Sequence, residues 1–204
     1  MSIGIIDYGS GNFASVFNAF SIISPDIVII NNRETLNKCS HIVLPGVGTF
    51  GSAMSKLKEM NLVEPLYENV IEKKSHFLGI CVGFQILADF GFEFGEHKGL
   101  GYIKGKVVKL EIDHDKFSLP HMGWNSLIDT NNSPLFNEID EDATFYFVHS
   151  FYFETEDADI KTVNTFYGKK FVAAISHENI HGVQFHPEKS QFYGIKLLNN
   201  FVNL

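Results

Sequence analysis

The residues best suited to do chemistry stand at Gly79-Ile80-Cys81-Val82-Gly83, between an apolar run and a segment of helical pattern. G-x-C-x-G is the cysteine counterpart of the G-x-S-x-G elbow, in which a nucleophile sits on a strained turn from strand to helix. The flanking glycines have a physical job there, because the two backbones approach too closely for a Cβ. A helix starting at the turn sets backbone N–H groups and its positive end beside the sulfur, which favours thiolate. The other reading is a buried cysteine in a glycine-rich crossover, and the pentapeptide alone does not choose between them.

A thiol nucleophile needs a base. Of the nine histidines, His186 has the most informative surroundings, Gly182-Val183-Gln184-Phe185-His186-Pro187-Glu188. A strand-like run delivers the imidazole to a loop, and a carboxylate follows two residues later. A Cys–His pair oriented by a carboxylate is the general form of an activated nucleophile. The alternative is a loop histidine followed by an ordinary acid in a first helical turn. A third segment, Leu44-Pro45-Gly46-Val47-Gly48-Thr49-Phe50-Gly51, is a glycine-rich turn after a strand. Its backbone N–H groups could bind an oxyanion, or it is a plain strand-to-helix turn.

These segments must be carried by elements that bring them together. Residues 3–7 read as a strand, followed by Gly9, Gly11 and a helical pattern over 12–22. Strand patterns recur at 26–30, 41–44 and 77–80, with helical patterns at 50–60, 62–74 and from 82 onward. Strands alternating with helices of this length predict βαβ units on a parallel sheet. On such a sheet the turn after Leu44 and the elbow at Cys81 lie at the same carboxyl edge. The second half differs. Short β-prone runs at 106–112, 144–148 and 171–175 are separated by turn signals such as Asn131-Asn132-Ser133-Pro134, and 187–201 is helical again. The expected architecture is one α/β domain over residues 1–204. It has a mostly parallel central sheet flanked by helices, with an antiparallel β extension in the C-terminal half.

Composition narrows the function classes. A chain of 204 residues buries roughly 70% of its unfolded surface, so it needs no disulfide to hold a core. Hydrophobic residues at 45% and charged residues at 20% exclude wholesale disorder. No apolar run approaches the roughly 20 residues of a membrane-spanning helix; the most apolar stretch, 77–92, is broken by Gln85 and Asp89. The start, MSIGIIDYG, lacks the basic segment and cleavage site of a secretory signal. With only Cys39 and Cys81 as thiols, a reducing, cytoplasmic setting is expected. Sixteen cationic against 24 acidic side chains give a net charge of −8, and Arg33 is the single arginine. No basic stripe is visible, so neither nucleic acid nor membrane is expected as a partner.

Two weaker patterns compete with this chemistry. Gly9-x-Gly11-x-x-Ala14 mimics a dinucleotide fingerprint, but Asn31-Asn32 stand where the ribose-binding acid belongs. His177 and His181 have a spacing that suits a metal on a helix, yet residues 178–180 read as a turn and H-E-x-x-H is absent. No cofactor and no metal are expected.

Seven segments carry a family resemblance that runs almost end to end: IIDYGSGN (5–12), LPGVGTFGSAM (44–54), GICVGFQIL (79–87), GLGYIKGKV (99–107), PHMGWNSL (120–127), YFVHSFY (146–152) and GVQFHPEKS (182–190). They resemble the class I, triad-bearing glutamine amidotransferases, whose fold is flavodoxin-like. Within that family, PHMGWN and YGSGN are similar to the glutaminase subunit type of imidazole glycerol phosphate synthases, which serve histidine biosynthesis. The resemblance implies that Cys81 attacks the side-chain amide of glutamine, His186 moves the proton and Glu188 orients His186. It implies oxyanion donors at Val82 N–H and, after a peptide rearrangement, Val47 N–H. Gly46, Gln85, Glu93, Ser150 and Phe151 fall at the positions where the family binds substrate, and Gln85, four residues after Cys81, shares a helix face with it.

The family passes its ammonia to a (β/α)8-barrel cyclase subunit, which makes imidazole glycerol phosphate and an aminoimidazole carboxamide ribonucleotide. The resemblance implies that partner here, with Asn12, Trp124 and Tyr146 as contacts; a core aromatic is the other reading of Trp124. There are departures. Ala14 stands where the family commonly has arginine, and Gly91-Phe92-Glu93-Phe94 replaces a frequent S-E-E-G, which bears on Glu93. Paralogous subunits that supply ammonia for amidination of surface or flagellar sugars share the triad. A peptidase of the elbow-cysteine type shares the Cys–His chemistry but does not require Gln85. A non-catalytic interaction subunit would not need all three triad positions filled.

Overall fold

The computed structural model describes residues 2–155, 157 and 159–204. The first half runs β1 (Ile3–Ile6), α1 (Phe13–Ile23), β2 (Ile27–Ile30), α2 (Arg33–Leu36), β3 (His41–Leu44), α3 (Phe50–Glu59), α4 (Val63–Tyr67), β4 (His76–Ile80) and α5 (Val82–Gln85). The second half runs β5 (Phe90–Gly91), β6 (His97–Lys98), β7 (Lys106–Lys109), β8 (His121–Ser126), β9 (Thr144–His149), β10 (Phe151–Glu154), β11 (Lys161–Tyr167), β12 (Lys169–His177), β13 (Ile180–Val183) and α6 (Gln191–Val202).

The main sheet has seven strands in the order β11-β12-β13-β4-β3-β1-β2. From β13 to β2 all neighbours are parallel, whereas β11, β12 and β13 pair antiparallel. The strands β1, β3 and β13 are buried at every residue. Their near-continuous apolar runs are what a strand covered on both faces requires. Helices α1 and α6 lie together over this sheet, with Phe20 and Phe201 edge to face at 6.5 Å.

The antiparallel extension is more divided than the sequence patterns suggested. Strands β11 and β12 prolong the main sheet, while β10-β7-β5-β6 form a second sheet and β8-β9 a two-stranded ribbon. One parallel strand, β13, comes from the C-terminal half and pairs with β4. The helical stretch expected over 62–74 divides into α4 and a π-helical turn at Glu68–Glu72. Pro65 sits in the opening turn of α4, where its missing N–H costs nothing. The helix after Cys81 is only four residues long. Beyond it the bonds from Leu87 to Phe84 and from Ala88 to Gln85 tighten to i→i−3, and the chain leaves into β5. The helix-dipole contribution at the sulfur is correspondingly smaller than a full helix would give.

Candidate active site

Four neighbouring parallel strands end at one place. Beyond β1 comes Asp7-Tyr8, beyond β3 the turn at Pro45, beyond β4 Cys81, and beyond β13 the segment to His186. The carboxyl edge of an open parallel sheet is where such folds bind ligands. Cys81 has φ 53° and ψ −107°, an uncommon backbone conformation for a residue with a side chain. Its N–H donates to Val183 O at 2.8 Å, which ties the elbow to β13. A Cβ on Gly83 would fall on the Leu44 carbonyl oxygen, so glycine alone lets α5 pass this close to β3.

His186 is held from several sides. Its N–H donates to Tyr146 O at 2.8 Å, and its carbonyl accepts Ser190 Oγ at 2.7 Å. Its Nδ1 lies 2.7 Å from Glu188 Oε1, with both side chains fully buried. A carboxylate only accepts, so Nδ1 carries a hydrogen and Nε2 is the atom that exchanges its proton. Nε2 makes no hydrogen bond to the described residues, and the Cys81 sulfur is the neighbouring group that bears most on the ring's charge. Burial works against a charged ring, but the Cys81 sulfur and the Glu188 carboxylate outweigh it and hold His186 up at about 10. Asn12 Nδ2 donates to the same Glu188 oxygen at 3.0 Å.

A cleft of about 280 Å³ opens onto this pair, lined by Val47, Val82, Gln85, Glu93, Ser150 and Phe151 among others. Thus most of the residues singled out for substrate binding meet at one cleft. Details differ from expectation. The Val47 N–H donates to Ser10 Oγ at 3.1 Å, and the Val82 N–H points to Gly46 O at 3.4 Å. Both candidate oxyanion donors are therefore engaged by protein oxygens in this conformation. Gly46 stands behind the cleft wall, where a Cβ would lie 2.6 Å from Gly83 N and 2.8 Å from Tyr8 Oη. Its place in the site is one of close packing. Glu93 lines the cleft, yet its Oε2 accepts the Phe50 N–H at the start of α3 at 3.0 Å.

Of the three residues expected at a partner surface, Trp124 is 47% exposed, with Tyr146 edge to face at 6.0 Å. Asn12 is instead buried under Glu188. His177 and His181 flank the turn between β12 and β13, and His181 Nδ1 is directed at Ser176 Oγ at 2.9 Å.

Two participants were missed in the sequence. Gln184 Nε2 reaches Cys81 Sγ at 3.7 Å, and its Oε1 accepts from Gln85 Nε2 at 3.0 Å. Its spacing of two from His186 was the available signal, since alternate residues of an extended run share a side. Ser10 donates to Asn12 Oδ1 at 2.7 Å while accepting from Val47, and nothing local in Tyr8-Gly9-Ser10-Gly11 announces that role.

Both the sequence and the fold have known relatives. The family model described as "Glutamine amidotransferase class-I" matches residues 4–204. The imidazole glycerol phosphate synthase subunit HisH 1 of Campylobacter jejuni (strain RM1221) is 46% identical over 202 residues, covering 99% of this chain and 100% of the relative. The subunit HisH 2 of Methanococcus maripaludis is 44% identical, covering 98% of each. The subunit HisH of Pelagibacter ubique is 44% identical, covering 100% of each. Among solved structures, that of PurLQS from Thermotoga maritima superposes with a TM-score of 0.76 at 19% identity, covering 100% of this chain and 99% of the other. At that identity the likeness speaks for the fold.

Proposed function

We propose, because the chain belongs to the class-I glutamine amidotransferase family, that it is the glutaminase subunit of an imidazole glycerol phosphate synthase in histidine biosynthesis. The supporting observation is the buried line Cys81, His186, Glu188 and Asn12 at the floor of the cleft. Cys81 gives its thiol proton to His186 Nε2, and the sulfur attacks the δ-amide carbon of glutamine. The imidazolium of His186 gives its Nε2 proton to the departing nitrogen, which leaves as ammonia. His186 then takes a proton from water, which attacks the γ-glutamyl thioester and releases glutamate and the thiol. Glu188 keeps the ring charged and turned toward sulfur. The tetrahedral oxyanion is met by the Val82 N–H and, once its peptide turns away from Ser10, by the Val47 N–H.

The partner is a (β/α)8-barrel cyclase, seated over the cleft mouth near Trp124, which receives the ammonia before water protonates it. The chemistry calls for no cofactor, and the setting is the cytoplasm. No helix among the described residues is long and apolar enough to cross a membrane. The test is the Cys81→Ala complex with the cyclase. It is expected to lose glutamine-dependent synthesis of imidazole glycerol phosphate and to keep synthesis from added ammonia. Loss of both activities in a folded complex would contradict the division of labour.

A further inference from the structure

Two buried imidazoles that the proposed mechanism does not use lie beside the cleft. His121 on β8 and His149 on β9 are cross-strand partners, and both are buried. His149 Nδ1 lies 2.9 Å from the Phe151 carbonyl oxygen, and its Nε2 lies 3.1 Å from His121 Nδ1. A carbonyl only accepts, so His149 carries its hydrogen on Nδ1 and accepts at Nε2. His121 then donates from Nδ1 and accepts at Nε2, which stands 3.3 Å from the Asn125 side-chain nitrogen. The direction of every bond is fixed by its neighbour.

The chain continues into the site. The Phe151 oxygen also accepts Gln85 Nε2 at 2.9 Å. The second hydrogen of that amide goes to Gln184 Oε1, and Gln184 Nε2 ends on the Cys81 sulfur. With both amide hydrogens committed, only Oε1 of Gln85 is left to meet a substrate. The rings are also fixed sideways, His121 being stacked on Phe147 at 4.8 Å and on Tyr167 at 4.0 Å. Burial holds His121 down at about 4 and His149 at about 3, so both are neutral near pH 7. Phenylalanine would pack as well in such a place without two imidazoles to desolvate. What the imidazoles add is a directed donor at the cleft wall.

We propose that His121 and His149 are positioning residues for glutamine binding. They form a one-way hydrogen-bond relay from β8 to the Phe151 carbonyl, which holds Gln85 with its Oε1 turned to the substrate. The opposite face of β8 carries Met122 and Trp124, 60% and 47% exposed, so the relay begins directly behind the surface proposed for the partner. This inference rests on the glutaminase reading of the cleft.

The test measures glutamate release by the chain saturated with the barrel cyclase, varying glutamine. His121→Phe keeps the stacked ring and removes the donor. It is expected to raise KM for glutamine about tenfold, the loss of about one buried hydrogen bond, with kcat changed by no more than about twofold. His121→Gln, which donates and accepts, is expected to recover most of the KM. Imidazole nitrogen–proton correlation spectra of the wild-type chain give a readout independent of any variant. Both His121 and His149 are expected as the Nδ1–H tautomer, the minor form of a free histidine. An unchanged KM in folded His121→Phe, a raised KM that Gln does not rescue, or an Nε2–H tautomer at either ring would overturn the relay. A wild-type complex that releases no glutamate would overturn the glutaminase reading itself, and with it any role of the relay in binding glutamine. The control thus separates the two failures.

Discussion

Asn12 and Glu188 lie 176 residues apart and share one hydrogen bond, Asn12 Nδ2 to Glu188 Oε1 at 3.0 Å. The same oxygen receives Nδ1 of His186, so the loop after β1 and the loop after β13 hold the carboxylate between them. Asn12→Ala leaves Glu188 with one donor fewer in a buried site. The expected outcome is a fall of about tenfold in kcat for glutamine hydrolysis, corresponding to about 1.4 kcal/mol in the barrier, with KM little changed. The alkaline limb of the pH–rate profile should also move to higher pH, because a Glu188 carboxylate with one donor fewer holds the proton on His186 more firmly. Steady-state kinetics across pH check both effects.

Ser10 ties the Val47 N–H and passes its own hydrogen to Asn12. Ser10→Ala removes the acceptor that keeps this donor out of the cleft. A side-chain to backbone bond of this kind is worth about 1 kcal/mol net. The variant should therefore hydrolyse glutamine without a partner about fivefold faster than the wild type. Glutamate release by the isolated chain measures this, and an unchanged or lower rate would show that Ser10 does not restrain Val47.

Buried histidines set the response to acid. Burial holds His41 at about 4, His121 at about 4, His149 at about 3 and His181 at about 4. Unfolded, each titrates near 6.5. Between these values the unfolded chain takes up protons that the folded chain refuses, so stability falls as pH falls from about 6.5 toward about 4. Each such group contributes a slope of up to about 1.4 kcal/mol per pH unit, and the four together about 5. His186 acts in the opposite sense. Its folded value of about 10 gives stability that is fully present below 6.5 and is lost as pH rises through about 10. Thermal unfolding across pH 4 to 9 should show a maximum near neutrality with the steeper loss on the acid side. A midpoint that stays level from pH 7 to 5 would show that these imidazoles are not held neutral.

The parts of the site that could be read in the sequence are those whose chemistry demands a contiguous pattern. The elbow at Cys81 needs its glycines because the backbones touch, and the turn at Val47 and the run to His186 each carry several constrained residues together. The alternation of strands and helices in the first half was legible for the same reason, as periodicity is local. What was not legible depends on pairing between distant segments. Nothing in Ile180-His181-Gly182-Val183 says that it lies parallel to β4. The bond between His121 and His149 follows from the ladder register of β8 and β9, which local pattern does not fix. Asn12 stood at the partner surface only through the family resemblance, whereas the fold turns it inward onto Glu188.

Trp124 is the single tryptophan and stands 47% exposed on β8. Large aromatics that are buried on association carry much of the binding energy of an interface. Trp124→Ala should weaken the complex with the barrel cyclase by about 2 kcal/mol, or roughly thirtyfold in Kd. In the wild type, tryptophan emission should shift to shorter wavelength on titration with the cyclase, giving a direct binding signal. Unchanged emission together with unchanged affinity of the variant would place the partner elsewhere.

The most direct measurement is glutamate release from glutamine by the chain alone, with the histidine-pathway barrel cyclase, and with that cyclase bound to its ribonucleotide ligand. The expected result is little release alone, a large rise in the liganded complex, and none of that rise in Cys81→Ala. Release that persists in Cys81→Ala, or no rise in a folded complex of wild-type chain, cyclase and ligand, would contradict the assignment.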